Sequence, residues 1–234
     1  MKRVFVFLLV FLFCFYLVSS RPSGANVSEE SSSSLKPDEP TSVQAIAGNV
    51  SQINLFGYST TRSWQGYYGN VSGALRLGNS AGDVMYNWSV VSPRGQVYAS
   101  VSDFIDWSSI QCFDMSESDL LEEDFNIGPQ DVDGVNETFN LQDHDLFYTN
   151  QIEFGEGQCY NTRLFDNSGV GVFQQVLLAD GLYSEGASVV FTSLLTQGVV
   201  GFDGGIYDFQ MLVLEDGHGT NQDTTPYYFW VELG

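Results

Sequence analysis

Between Val71 and Val90 the polarity of the chain alternates in two successive runs of opposite parity. In the first run the odd positions Val71, Leu75 and Leu77 are apolar, while Ser72 and Arg76 are polar. A turn cluster, Gly78-Asn79-Ser80-Ala81-Gly82-Asp83, interrupts it, and the even positions Val84, Tyr86, Trp88 and Val90 then take over the apolar role. A period of two is the mark of a half-buried strand, and two such runs around a turn make a β-hairpin. Asn87 falls on the opposite face, in the glycosylation sequon Asn87-Trp88-Ser89, which needs a wet asparagine. The stretch from Trp64 to Val91 is therefore expected to form a hairpin in a sheet with one buried face.

The rest of the chain carries the same signal. Ser92-Pro93-Arg94-Gly95 fits a type I turn, and Gln96 to Val101 follows as a strand with Val97, Ala99 and Val101 inward. Gly171–Leu178, Ala187–Leu195, Ile206–Leu214 and Tyr227–Leu233 are further β-branched or aromatic runs. Tyr207, Phe209, Met211 and Val213 alternate, as do Tyr227, Phe229, Val231 and Leu233. One helix is expected after Ser116, capped by it with Asp119 at the third position. It would be apolar along Leu120, Leu121 and Phe125 and stopped by Gly128-Pro129. The fold class is mainly β: an antiparallel β-sandwich, Ig-like or jelly-roll-like, with one short helix and a disulfide-stapled insertion.

Residues 1–20 read as a secretory signal peptide. Lys2 and Arg3 precede an apolar run from Val4 to Val18, and Val18-Ser19-Ser20 offers a cleavage site. An uncleaved membrane anchor is the alternative, and no apolar run closes the sequence at Gly234. Residues 21–42, rich in serine, proline and acid, are expected to be a flexible stalk. The sandwich domain is placed at 43–234, with an insertion around 103–165. Beyond the signal only Cys112 and Cys159 remain, an even count that in an exported chain points to a disulfide.

Charge narrows the partners. The sequence holds 29 acids against 8 basic residues, and no lysine follows Lys36. Such a surface repels phosphate, so nucleic acid and anionic membranes are excluded, and membrane contact is left to an uncleaved N-terminal segment.

Several passages carry a resemblance: WQGYYGNVSG (64–73), GDVMYNWSVVSPRGQVYAS (82–100), GFDGGIYDFQMLVLEDGHGT (201–220) and YYFWVELG (227–234). They resemble a family of exported archaeal surface or secreted β-rich proteins, the GFDG…YDFQ…DGHGT block most specifically. The resemblance implies an exported protein of β-rich build and brings no catalytic residues with it.

Candidate sites follow. Sequons stand at Asn26, Asn49, Asn70, Asn87 and Asn136. Asp131, Asp133 and Asn136 place oxygen ligands at near-alternate positions beside Gly134, as a Ca²⁺ loop does, and no other cofactor is indicated. The alternative for these and for the Asp143-His144-Asp145 and Glu215-Asp216-Gly217-His218 turns is solvated acidic loops. No serine elbow, P-loop, HExxH or dinucleotide motif occurs, and His144 and His218 are expected to be exposed surface histidines. Among the aromatics Trp64, Tyr67, Tyr68, Trp88, Trp107, Tyr228 and Trp230, the pair Tyr228 and Trp230 stands out. It opposes the core face of its strand, so it either lies under another element or meets a ligand or partner.

The resulting expectation is a cell-surface structural or adhesive protein that is not an enzyme. Its partners would be itself or other envelope components. A secreted carbohydrate-binding module that grips polysaccharide is the alternative, and a secreted hydrolase comes third. One segment suggests how assembly would work. AGNVSQINLFGYS (47–59) echoes YGNVSGALRLGNS (68–80), and Val43 to Leu55 is apolar enough to add to a neighbour's sheet or to be the first strand of its own domain.

Overall fold

The computed structural model of the chain describes residues 21–29, 31–36, 38–90, 94–216 and 224–233. The expected signal segment 1–20, the Ser92-Pro93 part of the turn, and His218 lie outside them. In chain order the strands are β1 (Ser23–Gly24), β2 (Trp64–Gly69), β3 (Gly73–Gly78), β4 (Val84–Val90), β5 (Gly95–Ser100) and β6 (Gln111–Cys112). Two short helices come next, α1 (Ser118–Asp124) and α2 (Val135–Thr138). They are followed by β7 (Phe147–Thr149), β8 (Ile152–Phe154), β9 (Asn161–Phe165), β10 (Gly171–Ala179) and β11 (Val189–Leu194). The last four are β12 (Val199–Val200), β13 (Ile206–Tyr207), β14 (Phe209–Leu214) and β15 (Tyr228–Leu233). Every strand pairing among the described residues is antiparallel.

A seven-stranded sheet forms the middle of the molecule, in the order β1-β15-β5-β11-β10-β6 with β9 also on β10. The β2–β14 pair packs across one face, giving the two layers of a sandwich. Met211 and Val213 of β14 meet Val97, Ala99, Leu177 and Phe191 there, as the alternation predicts. Polar side chains stitch the layers as well. The Gln175 amide donates to the Leu212 carbonyl at 2.6 Å and accepts from the Leu212 N–H at 2.7 Å, and Ser193 Oγ donates to the Gln210 carbonyl at 2.9 Å. A buried glutamine thus satisfies a strand whose own edge would otherwise be orphaned.

The other face of the central sheet is covered too. Tyr98, Val176, Leu178 and Val190 pack against Ile105, Ile110, Phe147 and Phe154, so β5, β10 and β11 are buried on both sides. The expected insertion at 103–165 supplies this third layer, and residues 113–139 of it, including α1 and α2, close the first core instead. The Cys112–Cys159 disulfide joins the third layer to the sheet edge, with Cα atoms 5.1 Å apart. Val101, expected inward, is exposed because β5 ends one residue before it.

The expected helix is present as α1, with a different cap. Asp114 rather than Ser116 accepts the first free N–H, that of Ser116 itself, and a 3₁₀ turn over Met115–Glu117 leads into the helix. Of its apolar positions Leu121 is buried, Phe125 packs partly, and Leu120 is exposed. The one-turn α2, which periodicity is too short to reveal, is anchored by α1. Glu122 is buried and accepts the Val135 N–H at 2.6 Å, at the helix start.

Two boundaries shift. Ser23–Gly24, inside the expected stalk, pairs with β15 at Val231 and Trp230. Residues 43–59 are exposed and form no strand, and the next strand after β1 starts at Trp64. The edge of β15 beside Trp230 and Val231 is taken by β1.

The β7–β8 turn is a two-residue loop with positive φ at Asn150 (47°) and Gln151 (73°), the geometry of a type I′ turn. Asparagine tolerates this, while glutamine is strained there. Gln151→Gly should therefore raise stability by about 0.5–1 kcal/mol, read from urea unfolding. The double variant Cys112→Ala/Cys159→Ala should lose about 2–5 kcal/mol by the same measurement, with hydrogen exchange rising first in the third layer.

Candidate functional site

Two apolar stretches among the described residues are conspicuously uncovered. The expected hairpin forms as β3–β4, with Leu75 opposite Trp88, Leu77 opposite Tyr86, and Asn87 opposite Arg76 on the reverse face. Its apolar face was expected to be buried and is not. Leu75, Leu77, Tyr86 and Trp88 are each between 51% and 58% exposed. A two-stranded hairpin cannot bury itself, and this one meets the body at its base, where Gly73 lies against Leu233. A Cβ at Gly73 would lie 2.0 Å from Leu233 Cδ1, so a larger residue there would push the Leu233 side chain aside. The second surface is the segment 43–58, whose Ile53, Leu55 and Phe56 are 56%, 87% and 85% exposed.

The aromatic pair on β15 divides. Trp230 is half-buried under Trp107, ring centroids 5.7 Å apart, and Trp107 in turn meets Tyr98 at 4.9 Å. Tyr228 stays exposed at the rim of a shallow groove that it shares with Gly24, Val27, Asp103 and Trp230. Trp64 and Tyr67 belong to the first core. Tyr68 is exposed in a cluster with Phe202 and Tyr207, at 5.0 and 4.8 Å.

Beside Trp230 on the same strand, Glu232 is buried with Tyr98. The Tyr98 hydroxyl donates to Glu232 Oε2 at 2.8 Å, and the Asn150 N–H reaches the same carboxylate at 3.1 Å. Burial first, and the Glu232 charge second, push the Tyr98 hydroxyl well above its usual range. Sequence periodicity places an acid here but has no means of showing that it is buried.

The oxygen-rich turns are tied up within the chain. Asp131 Oδ2 accepts the Gly128 N–H at 2.6 Å, Asp133 accepts the Thr61 hydroxyl and, through its carbonyl, the Trp64 indole N–H, and Asn136 donates to Ser118 at 2.7 Å. Among the described residues no group of three or more His, Cys, Asp or Glu side chains converges on a cation position. His144, expected at the surface, is buried at 1% exposure. Its Nε2 accepts the Cys159 N–H at 2.9 Å, and Nδ1 lies 2.8 Å from the Asp145 carbonyl, so the ring is a neutral Nδ1–H tautomer bracing the disulfide. The sequon asparagines Asn26, Asn49, Asn70, Asn87 and Asn136 are all exposed, and of these Asn136 has its amide nitrogen engaged with Ser118.

The GFDG…YDFQ block is a structural knot. The Gly201 N–H donates to the Gly205 carbonyl, and Asp208 accepts the Val71 N–H at 2.9 Å. Gln210 donates to the Phe165 carbonyl at 2.8 Å. Cβ atoms at Gly201 and Gly205 would lie 2.4 and 2.3 Å from Tyr207, so both glycines make room for that ring.

Compared with known proteins, the chain matches no protein-family model, no curated protein and no solved structure.

Several carboxylates are held below their usual range by hydrogen bonds to the charged form. Asp106 takes them first from Ser108 and Asp114 from the Ser116 N–H, Glu117 from Ser184, Asp143 from Asn161 and then Arg163, and Asp203 from the Gly205 N–H. Each contributes stability that is present above the unfolded carboxylate range and lost as pH falls through the depressed value. Glu122 runs the other way: burial raises it, so its contribution is present at low pH and lost as pH rises through the raised value. The five outweigh the one, and the thermal midpoint should fall once pH drops below about 4. Tyr98→Phe leaves the Glu232 carboxylate short of a donor and should cost about 1–3 kcal/mol at pH 7, measured by urea unfolding.

Proposed function

We propose that this chain is an exported cell-surface structural or adhesive protein that assembles with itself or with other envelope components. The observation that carries this reading is the pair of uncovered apolar surfaces, segment 43–58 and the β3–β4 hairpin. Apolar area on this scale is rare on a chain that acts alone and marks a surface that meets another. Its electrical setting agrees. Residues 41–102 contain three arginines and one acid, Asp83, a net of +2 in a chain whose total is −21. Acid repulsion between copies is weakest there. The signal-like N-terminus and the disulfide support export, and the exposed sequons support glycosylation.

A second reading, a carbohydrate-binding module, has one observation in its favour: the groove that sets Tyr228 and Trp230 beside the Asp103 carboxylate. Aromatic faces with a nearby acceptor suit pyranose rings.

Sedimentation of residues 21–234 discriminates between the two. Association that rises with concentration, unchanged by Tyr228→Ala, is the expected result. A monomer up to on the order of 100 μM, retained on a polysaccharide column and released by Tyr228→Ala, would favour the second reading.

A further inference from the structure

We infer that Asn70 carries an N-linked glycan whose first pyranose ring packs on Tyr68, in the exposed aromatic cluster that Tyr68 forms with Phe202 and Tyr207. The inference rests on the export and glycosylation reading, and it names the sequon and the surface that receives its sugar. Tyr68 and Phe202 are 43% and 52% exposed with ring centroids 5.0 Å apart, and Tyr207 closes the cluster at 4.8 Å from Tyr68. Asp203 is exposed beside it. Its carboxylate accepts the Tyr207 hydroxyl at 2.9 Å and the Gly205 N–H at 2.8 Å, and its remaining lone pairs are open to sugar hydroxyls.

Strand geometry sets the sequon beside this cluster. Tyr67 and Val71 pack against the first core, so the alternate residues Tyr68 and Asn70 face outward together. Two residues along an extended chain are about 6–7 Å apart, within reach of a sugar ring on the Asn70 amide. Asp208 holds the chain on both sides of Asn70: its N–H donates to the Gly69 carbonyl at 2.9 Å, and its Oδ2 accepts the Val71 N–H at 2.9 Å. The Asn70 side chain is exposed and makes no hydrogen bond to the described residues, so its amide is open to modification. No other sequon has an aromatic residue two positions before its asparagine. In the other GNVS copy Ala47 holds that place, before Asn49. The sugar would come from a lipid-linked oligosaccharide phosphate during export. The bond from Asn70 Nδ2 to sugar C1 forms and the C1–O bond to phosphate breaks. The lipid phosphate leaves with that electron pair, and one amide proton passes to a base of the transferase. The C–H groups on one face of the pyranose then meet the electron-rich face of Tyr68.

The full chain, secreted from a host whose N-linked glycans begin with N-acetylglucosamine, tests this. Glycopeptide mass spectrometry should find Asn70 occupied. In NMR spectra the ring protons of its first sugar should be shifted upfield by the Tyr68 ring current in the folded protein and not in the urea-unfolded one, a readout that needs no variant. Ser72 is exposed, and Ser72→Ala removes the sequon while keeping the asparagine. It should lower the thermal midpoint by about 2–4 °C. The same change should have no effect in a Tyr68→Ala background and its full effect in a Tyr68→Phe background, which keeps the ring. Sugar signals without an upfield shift, or a Ser72→Ala effect that is absent from the unaltered protein or survives Tyr68→Ala, would overturn the stacking. Asn70 bare beside other occupied sequons would overturn this inference and leave the glycosylation reading standing. Bare asparagine at every sequon would overturn that reading, and this inference with it.

Discussion

The central sheet buries both of its faces, and most of the molecule follows from that. A strand with one wet face can end in polar side chains. β5, β10 and β11 cannot, and their sequences contain Gln96, Gln174, Gln175, Thr192 and Ser193 all the same. Each such group must find a partner inside the protein, because an unpaired one costs about 1–3 kcal/mol. The partners come from the covering layers. Gln175 and Ser193 bond β14, Gln174 holds Asp145, and Tyr98 holds Glu232. The layers are therefore fixed in register by polar contacts as well as pressed together by apolar ones.

The third layer shows how a polar stretch can become structural. Residues 130–170 contain few apolar side chains, and a layer of that composition has little hydrophobic drive of its own. Phe147 and Phe154, stacked 4.8 Å apart, share its apolar contacts with Ile105, Ile110, Trp107 and Ile152. The disulfide, the buried neutral His144 and the Asp143–Arg163 ion pair at 3.0 Å do the rest. Cross-links and hydrogen bonds take over where burial is thin, as in small exported domains.

Where covering stops is as informative. The acids sit on the body and its loops, while residues 41–102 contain a single acid, and within them the segment 43–58 and the β3–β4 hairpin leave apolar side chains bare. Apolar exposure and charge depletion coincide on one stretch of chain. Low charge beside exposed apolar side chains lowers the electrostatic cost of meeting another acidic surface.

Local order was legible in the sequence. The period of two placed β3, β4, β5, β14 and β15 within a residue or two, since side-chain alternation is a property of the strand itself. The Cys112–Cys159 bond followed from the even pair of cysteines left beyond the expected signal segment. Burial was not legible, because alternation marks an apolar face without saying what lies against it. The same pattern put Met211 in the core and left Trp88 in the open. His144 was expected at the surface and proved buried, and Glu232 is buried as well, held by Tyr98 from a strand far away in the sequence. The tertiary structure alone decided these cases. Whether a face is covered depends on which elements the topology brings across it, and that is set by contacts far apart in sequence.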